Sequence, residues 1–153
     1  MPLVLVSPAF PPGGEIPVQY ACDGADISPP LKWSGAANGA KSFVMVVDDP
    51  DAPSGVFHHW AVFDIPASQH DLNSGYGLFR PTIGFHEARN DFGKPGYGAP
   101  CPPRGQAHHY RFRLFAISRP TLDLSPSATV PEVLKAAEPY VVQHAELVGT
   151  FHR

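Results

Sequence analysis

Two pairs of adjacent histidines stand at the heads of apolar runs: His58-His59 in "DDPDAPSGVFHHWAVFDIP" (48–66) and His108-His109 in "AHHYRFRLFAI" (107–117). The first pair follows an acidic loop broken by Pro50 and Pro53, and Tyr110 adds a phenol two residues after His108. Imidazoles offer N–H donors and gain charge near a reference pKa of about 6.5, and a tyrosine offers an O–H. An anion would supply what those donors lack. A phosphate or carboxylate oxygen could accept from both rings, while Asp49 fixes a histidine tautomer or holds a cationic part of the ligand such as an amine.

Strand parity decides which of these groups can meet, because side chains alternate faces along a strand. Strict alternation puts His59 with Ala61, Phe63 and Ile65, and puts His58 with Trp60, Val62 and Asp64. In the preceding run, Phe43, Met45, Val47 and Asp49 share a face. If the loop from Pro50 to His58 joins these strands antiparallel, Asp49 and His59 become neighbours. In the later run, His108, Tyr110, Phe112, Leu114 and Ala116 lie on one face and His109, Arg111 and Arg113 on the other. The expectation is that Asp49, His59, His108 and Tyr110 converge at one rim of the core. Taken singly, each has a plainer reading: Asp-Pro-Asp-Ala-Pro is a turn signature, histidines at a strand edge are commonly half-exposed, and a lone tyrosine is core.

Other chemistries fit less well. Two histidines and a carboxylate also describe an open metal site, which gives a metal-dependent enzyme as the alternative. The chain lacks dense ligand spacing such as HExxH, and "HH" on a strand points its rings to opposite faces. Ser54 has no G-x-S-x-G context, and Cys101 lies between prolines with no general base beside it in sequence. The sequence therefore points to a binding protein with no catalytic residue, metal or cofactor.

The elements that must position these residues are mostly strands. With 19 prolines and 14 glycines in 153 residues, long helices are excluded from most of the chain. At 43% hydrophobic and 16% charged, a single domain over 1–153 can bury a sizeable core. Strand-like runs cover Leu3–Ser7, Leu31–Trp33, Phe43–Asp48, His59–Ile65, His108–Ile117 and Leu147–Phe151. Thr129 reads as an N-cap, with Pro131 in the first turn and a short helix over Glu132–Ala137 that Pro139 ends; a second turn is expected through Val142–Ala145. Residues 75–104 read as a long loop, whose aromatics Tyr76, Phe79, Phe85, Phe92 and Tyr97 either pack it onto the sheet or anchor a protein partner.

A net charge of −3 without any long like-charge run shows no nucleic-acid footprint. The N-terminus has no basic region ahead of its short apolar run, so it reads as mature protein and not as a signal peptide, and nothing resembles a membrane span. Cys22 and Cys101 show no CxxC spacing and are expected as free thiols, from which a cytoplasmic location follows.

Taken in order, "SPAFPPGGEIPVQYACDG", "SPPLKWSG", "DDPDAPSG", "HHWAVFDIP", "NDFGKPGYGAPCPPRG", "HHYRFRLFAI" and "AELVGTFHR" resemble the phosphatidylethanolamine-binding protein (PEBP) family, in its bacterial and archaeal, Raf kinase inhibitor-like branch. The resemblance implies a mostly β domain with a central antiparallel sheet, a second smaller sheet, short C-terminal helices and a surface anion pocket. Carried over, the pocket residues are Asp49, His59, His108 and Tyr110, with Asp51 and Pro53 shaping the loop and Pro102 and Pro103 on the wall. His109 replaces the usual arginine of the second motif, and Glu138-Pro139-Tyr140 stand near where relatives carry a glycine-histidine pair. The implied ligands are phosphate-like or carboxylate-like groups such as a phosphatidylethanolamine headgroup. A kinase or protease partner and a homodimer are implied as well, without membrane insertion.

Overall fold

A computed structural model describes residues 2–75 and 86–153. The strands are β1 (Val4–Val6), β2 (Leu31–Ser34), β3 (Ser42–Asp49), β4 (Phe57–Pro66), β5 (Asp71–Leu72), β6 (His86–Glu87), β7 (Ala107–Ile117) and β8 (Val141–His152), with one α-helix, α1 (Val130–Ala137). Among the described residues they form a three-stranded sheet ordered β1-β2-β5 and a five-stranded sheet ordered β6-β4-β3-β7-β8, antiparallel throughout. The mostly β class with a large and a small sheet is therefore as expected.

The order of layers follows from which side chains are apolar. Leu5, Leu31, Trp33 and Leu72 of the small sheet pack against Phe43, Met45, Val47, Trp60, Val62, Tyr110, Phe112 and Leu114 of the large one. The opposite face of the large sheet buries Val44, Val46, Ala61 and Phe63 under Val130, Val133 and Ala137 of α1. β3 is buried along its whole length because it is covered on both faces, which is why its sequence is a continuous apolar run. The two aspartates that end it, Asp48 and Asp49, are buried too, and each must find partners. For Asp48 these are Arg111 and Arg113 of β7, through Oδ1 and Oδ2.

The helix begins as its residues direct. Thr129 Oγ1 accepts from the Glu132 amide while the Glu132 carboxylate accepts from the Thr129 amide, and Pro131 occupies the first turn. Pro139 then lies in a 3-10 turn over Glu138–Tyr140. The expected second turn through Val142–Ala145 is instead strand. Those residues pair with β7, Gln143 opposite Ala116 and Ala145 opposite Leu114, so the ladder satisfies their backbone and extends β8 well before the expected Leu147.

The strict alternation expected for β4 also fails, at two places. Phe43 pairs with Ile65 but Met45 with Val62, and Val47 pairs with Trp60 but Asp48 with His58, so β4 carries an extra residue at each break. Asp64, in the first break, takes the left-handed backbone at φ 60°, and its carboxylate accepts the Leu122 amide. As a result Ile65 belongs to the inter-sheet core while Phe63 packs on the helix side, although parity would pair them.

Candidate functional site

The second break in β4 builds the site. His59 is the extra residue between the Val47–Trp60 and Asp48–His58 pairs, and its ring turns toward Tyr110 of the inter-sheet core, 5.4 Å away edge to face. It therefore lies on the other side of the sheet from Ala61 and Phe63, contrary to the parity expectation, yet it reaches the expected rim. β7 is regular, so His108 and Tyr110 share a face as alternation predicts. Asp49, His59, His108 and Tyr110 line one pocket of about 130 Å³ together with Ala52, Pro53, Phe57, Phe92, Cys101, Pro102 and Pro103. That is room for one small group.

The carboxylate and the two imidazoles of the pocket are each held from behind. Asp49 Oδ2 lies 2.6 Å from His108 Nδ1, and Asp49 Oδ1 accepts the Asp51 amide at 2.8 Å. Both oxygens are thus engaged, and Asp49 sits where a carboxylate can fix the His108 tautomer. His59 Nδ1 donates to the Gly98 carbonyl at 2.6 Å, and the Gly98 amide donates to the His59 carbonyl at 2.9 Å. Burial pushes the His59 pKa below its ordinary value, against the opposing pull of that carbonyl and of Asp49, Asp48 and Asp91. The Tyr110 hydroxyl is buried with no protein partner, and burial first, then Asp49, push its pKa up. What remains for a ligand is Nε2 of each ring and the phenol.

Asp51 does not line the pocket. It accepts from the His109 amide and from His109 Nδ1, both at 2.7 Å, and these two bonds hold its carboxyl below the usual range. His109 points away from the pocket, as parity predicts, and its side chain bears on the loop instead. Its carboxylate partner ties the Asp49–Pro53 turn to β7.

The far walls come from residues that periodicity did not single out. Phe92 stacks edge to face on Phe57 at 4.8 Å and on His59 at 5.7 Å, and it remains about half exposed. Its loop is fastened by Asp91, which accepts from the His58 amide and Nδ1, and by Asn90, which accepts the Phe92 amide and donates to the Gly96 carbonyl. A Cβ on Gly98 would overlap the Phe92 ring, so a glycine there lets the ring close the pocket. The asparagine, aspartate and glycines of "NDFGKPGYG" were the signal for this turn-rich support. Tyr97 packs on Trp60 and donates to the Tyr20 carbonyl at 2.8 Å, the packing role among the two expected for the loop aromatics. Tyr76, Phe79 and Phe85 lie outside the described residues.

The expectation of free thiols is overturned, since Cys22 and Cys101 form a disulfide. The fold brings their Cα atoms to 5.4 Å across a separation of 79 residues, a proximity that spacing in the chain does not encode. The bridge, the Cys22 amide on the Pro100 carbonyl, and Arg153 Nε on the Pro102 carbonyl together hold the wall of Pro102 and Pro103. The inference of a cytoplasmic location loses its premise with the thiols. No helix among the described residues is long and apolar enough to cross a membrane.

Among the described residues no three His, Cys, Asp or Glu side chains are placed to ligate a metal ion together. In the two-histidine, one-carboxylate alternative the carboxylate would be Asp49, whose oxygens here face His108 Nδ1 and the Asp51 amide. A larger hollow of about 240 Å³ between β7 and α1 has Arg113 and Glu138 as its charged lining among the described residues, and Arg113 is committed to Asp48.

A mostly β fold with a small, preformed pocket at the strand ends of its larger sheet defines the class. The chain belongs to the phosphatidylethanolamine-binding protein family, whose sequence model matches residues 6–152. It is 43% identical over 148 residues to a UPF0098 protein of Aquifex aeolicus, covering 96% of this chain and 86% of that one. Its structure is similar to CT736 of Chlamydia trachomatis, with a TM-score of 0.89, 34% identity and coverage of 99% and 98% of the two chains. The similarity to YbcL of Escherichia coli, described as a new member of the mammalian PEBP family, has a TM-score of 0.94 at 29% identity, covering 100% and 99%.

Proposed function

We propose that residues 1–153 act as one non-enzymatic binding domain whose pocket takes a small anionic group, phosphate-like or carboxylate-like. The observation that carries this reading is the buried Tyr110 hydroxyl without a partner, set beside the two histidine rings in a pocket too small for more than one group. A buried polar atom of this kind is costly unless a ligand or water satisfies it. The apolar remainder of the lining, Pro53, Phe57, Phe92, Pro102 and Pro103, suits the carbon substituent next to such a group. The family's name adds the ethanolamine phosphate headgroup as a first candidate, and the exposed Phe92 at the mouth suits a ligand that is itself part of a larger partner, such as a phosphorylated side chain.

The test is histidine ring NMR during titration with phosphate and then phosphoethanolamine, slightly below the free histidine pKa. His59 and His108 are expected to shift together and saturably, and His108→Ala to abolish binding while leaving the fold intact. Unchanged affinity in that variant would remove the reading.

A further inference from the structure

Resting on the anion-site reading, we propose that the pocket selects acids that carry their own proton, phosphate and its monoesters in the monoanionic form, over fully ionised anions of the same shape such as sulfate. The hydrogen bonds behind the two rings lead to this. A backbone carbonyl can only accept, so the His59 Nδ1 that lies 2.6 Å from the Gly98 carbonyl carries the hydrogen in either charge state. An uncharged His59 ring therefore presents a bare lone pair at Nε2.

His108 is arranged in the same way. Its Nδ1 donates to Asp49 Oδ2, and the other Asp49 oxygen is occupied by the Asp51 amide, so an uncharged His108 ring also presents a lone pair at Nε2. Near it, at 3.4 Å, is Oε1 of the exposed Gln106, an amide that can turn to offer its NH2 end instead. With both rings neutral the pocket offers one donor, the Tyr110 hydroxyl, and two acceptors. Sulfate, with four acceptor oxygens and no hydrogen, meets two opposed lone pairs unless the rings are first protonated. The inorganic phosphate monoanion brings two O–H groups that can donate to Nε2 of the rings, and a monoester monoanion brings one, while another oxygen accepts from Tyr110.

Charge around His59 decides how readily the ring could be protonated instead. Facing it are Asp49 and Asp48 from β3, Asp91 from the loop after β6, and His108 and Tyr110 from β7, while Cys101 is locked in the disulfide. The carboxylates favour the charged ring, but burial outweighs them, so the neutral acceptor form is the resting one near neutral pH.

Isothermal titration of the full chain with inorganic phosphate and with inorganic sulfate tests this, near pH 7.5 and again near pH 5, in buffers of different ionisation heat. Near pH 7.5 phosphate is expected to bind with net proton uptake, because the bound form carries more protons than the free mixture, whose second pKa is roughly 6–7. Sulfate is expected to bind at least about tenfold more weakly there, the order of effect for an unmet hydrogen bond in a buried site. The gap should narrow as the pH is lowered and protonation turns the His59 acceptor into a donor. His59→Gln places an amide that can donate without taking up a proton, so it should reduce the proton uptake and narrow the preference. If phosphate and sulfate bind wild-type protein equally near pH 7.5 without proton uptake, the inference is overturned and the anion site stands. If neither binds and neither ring signal moves, the anion-site reading fails and the inference with it. Should His59→Gln not fold, the wild-type proton count and the sulfate ratio still decide.

Discussion

Removing the disulfide between Cys22 and Cys101 is expected to cost several kcal/mol. The bridge closes a loop across a separation of 79 residues. In the chain-entropy relation, 2.1 plus 1.5R ln 79 gives about 15 cal/mol/K, or about 4.5 kcal/mol at 25 °C. That figure is a ceiling, because the reduced unfolded chain retains some compactness, and removal of native disulfides from folded domains typically costs about 2–5 kcal/mol. The native contact itself should survive reduction. The Cys22 amide still reaches the Pro100 carbonyl, and Arg153 still bridges Asp23 and the Pro102 carbonyl. The loss should therefore be expressed through the unfolded state, as a larger urea m-value for the reduced protein together with a lower midpoint. The assay is equilibrium unfolding followed by fluorescence of the buried Trp33 and Trp60, on oxidised protein, reduced protein and the Cys22→Ala, Cys101→Ala double variant. Two free thiols counted in the oxidised protein would refute the pairing. A bridged protein that loses less than about 1 kcal/mol on reduction would refute the entropic reasoning.

The remaining predictions concern charge and the pocket's walls. His59 has a lowered native pKa, so between roughly pH 6.5 and its native value the unfolded chain binds a proton that the native state refuses; stability should fall as the pH drops through about 6.5, and less so in His59→Gln, as read by urea midpoints against pH. At the other extreme Tyr97 is raised well above 10 by burial, so stability should hold below about pH 10 and fall above it, with Tyr97→Phe blunting the fall. Asp48→Ala should destabilise by about 2–3 kcal/mol, less than the roughly 3–5 of a fully buried pair, because Arg111 and Arg113 keep partial contact with water; an effect under about 0.5 kcal/mol would show that the buried carboxylate is dispensable. Gly98→Ala should displace the half-exposed Phe92 ring at a stability cost below about 1 kcal/mol while changing phosphate affinity several-fold, and unchanged affinity would remove Phe92 from the pocket wall.

What could be read from the residues depended on how regular each element is. β7 runs in unbroken register with β8 from Ala107 to Ala116, so alternation placed His108 and Tyr110 on the core face and turned His109 outward. The helix start was equally legible, since its capping box is a local exchange between Thr129 and Glu132. The disulfide and the support from Asn90 and Asp91 are contacts between segments distant in the chain, and nothing in local spacing sets such distances. β4 lies between these cases. Its apolar run announced a strand, but a bulge is a property of the pairing with β3 and leaves no period in the sequence. With regular alternation His59 would share the helix side with Ala61 and Phe63, and the pocket would keep only the dyad of His108 and Asp49 beside Tyr110. The extra residue turns the His59 ring across the sheet, where Gly98 takes its Nδ1 hydrogen and Phe92 closes over it. The irregularity that alternation could not foresee is therefore what supplies the second ring nitrogen, and it is on that second nitrogen that selection among phosphate and sulfate depends.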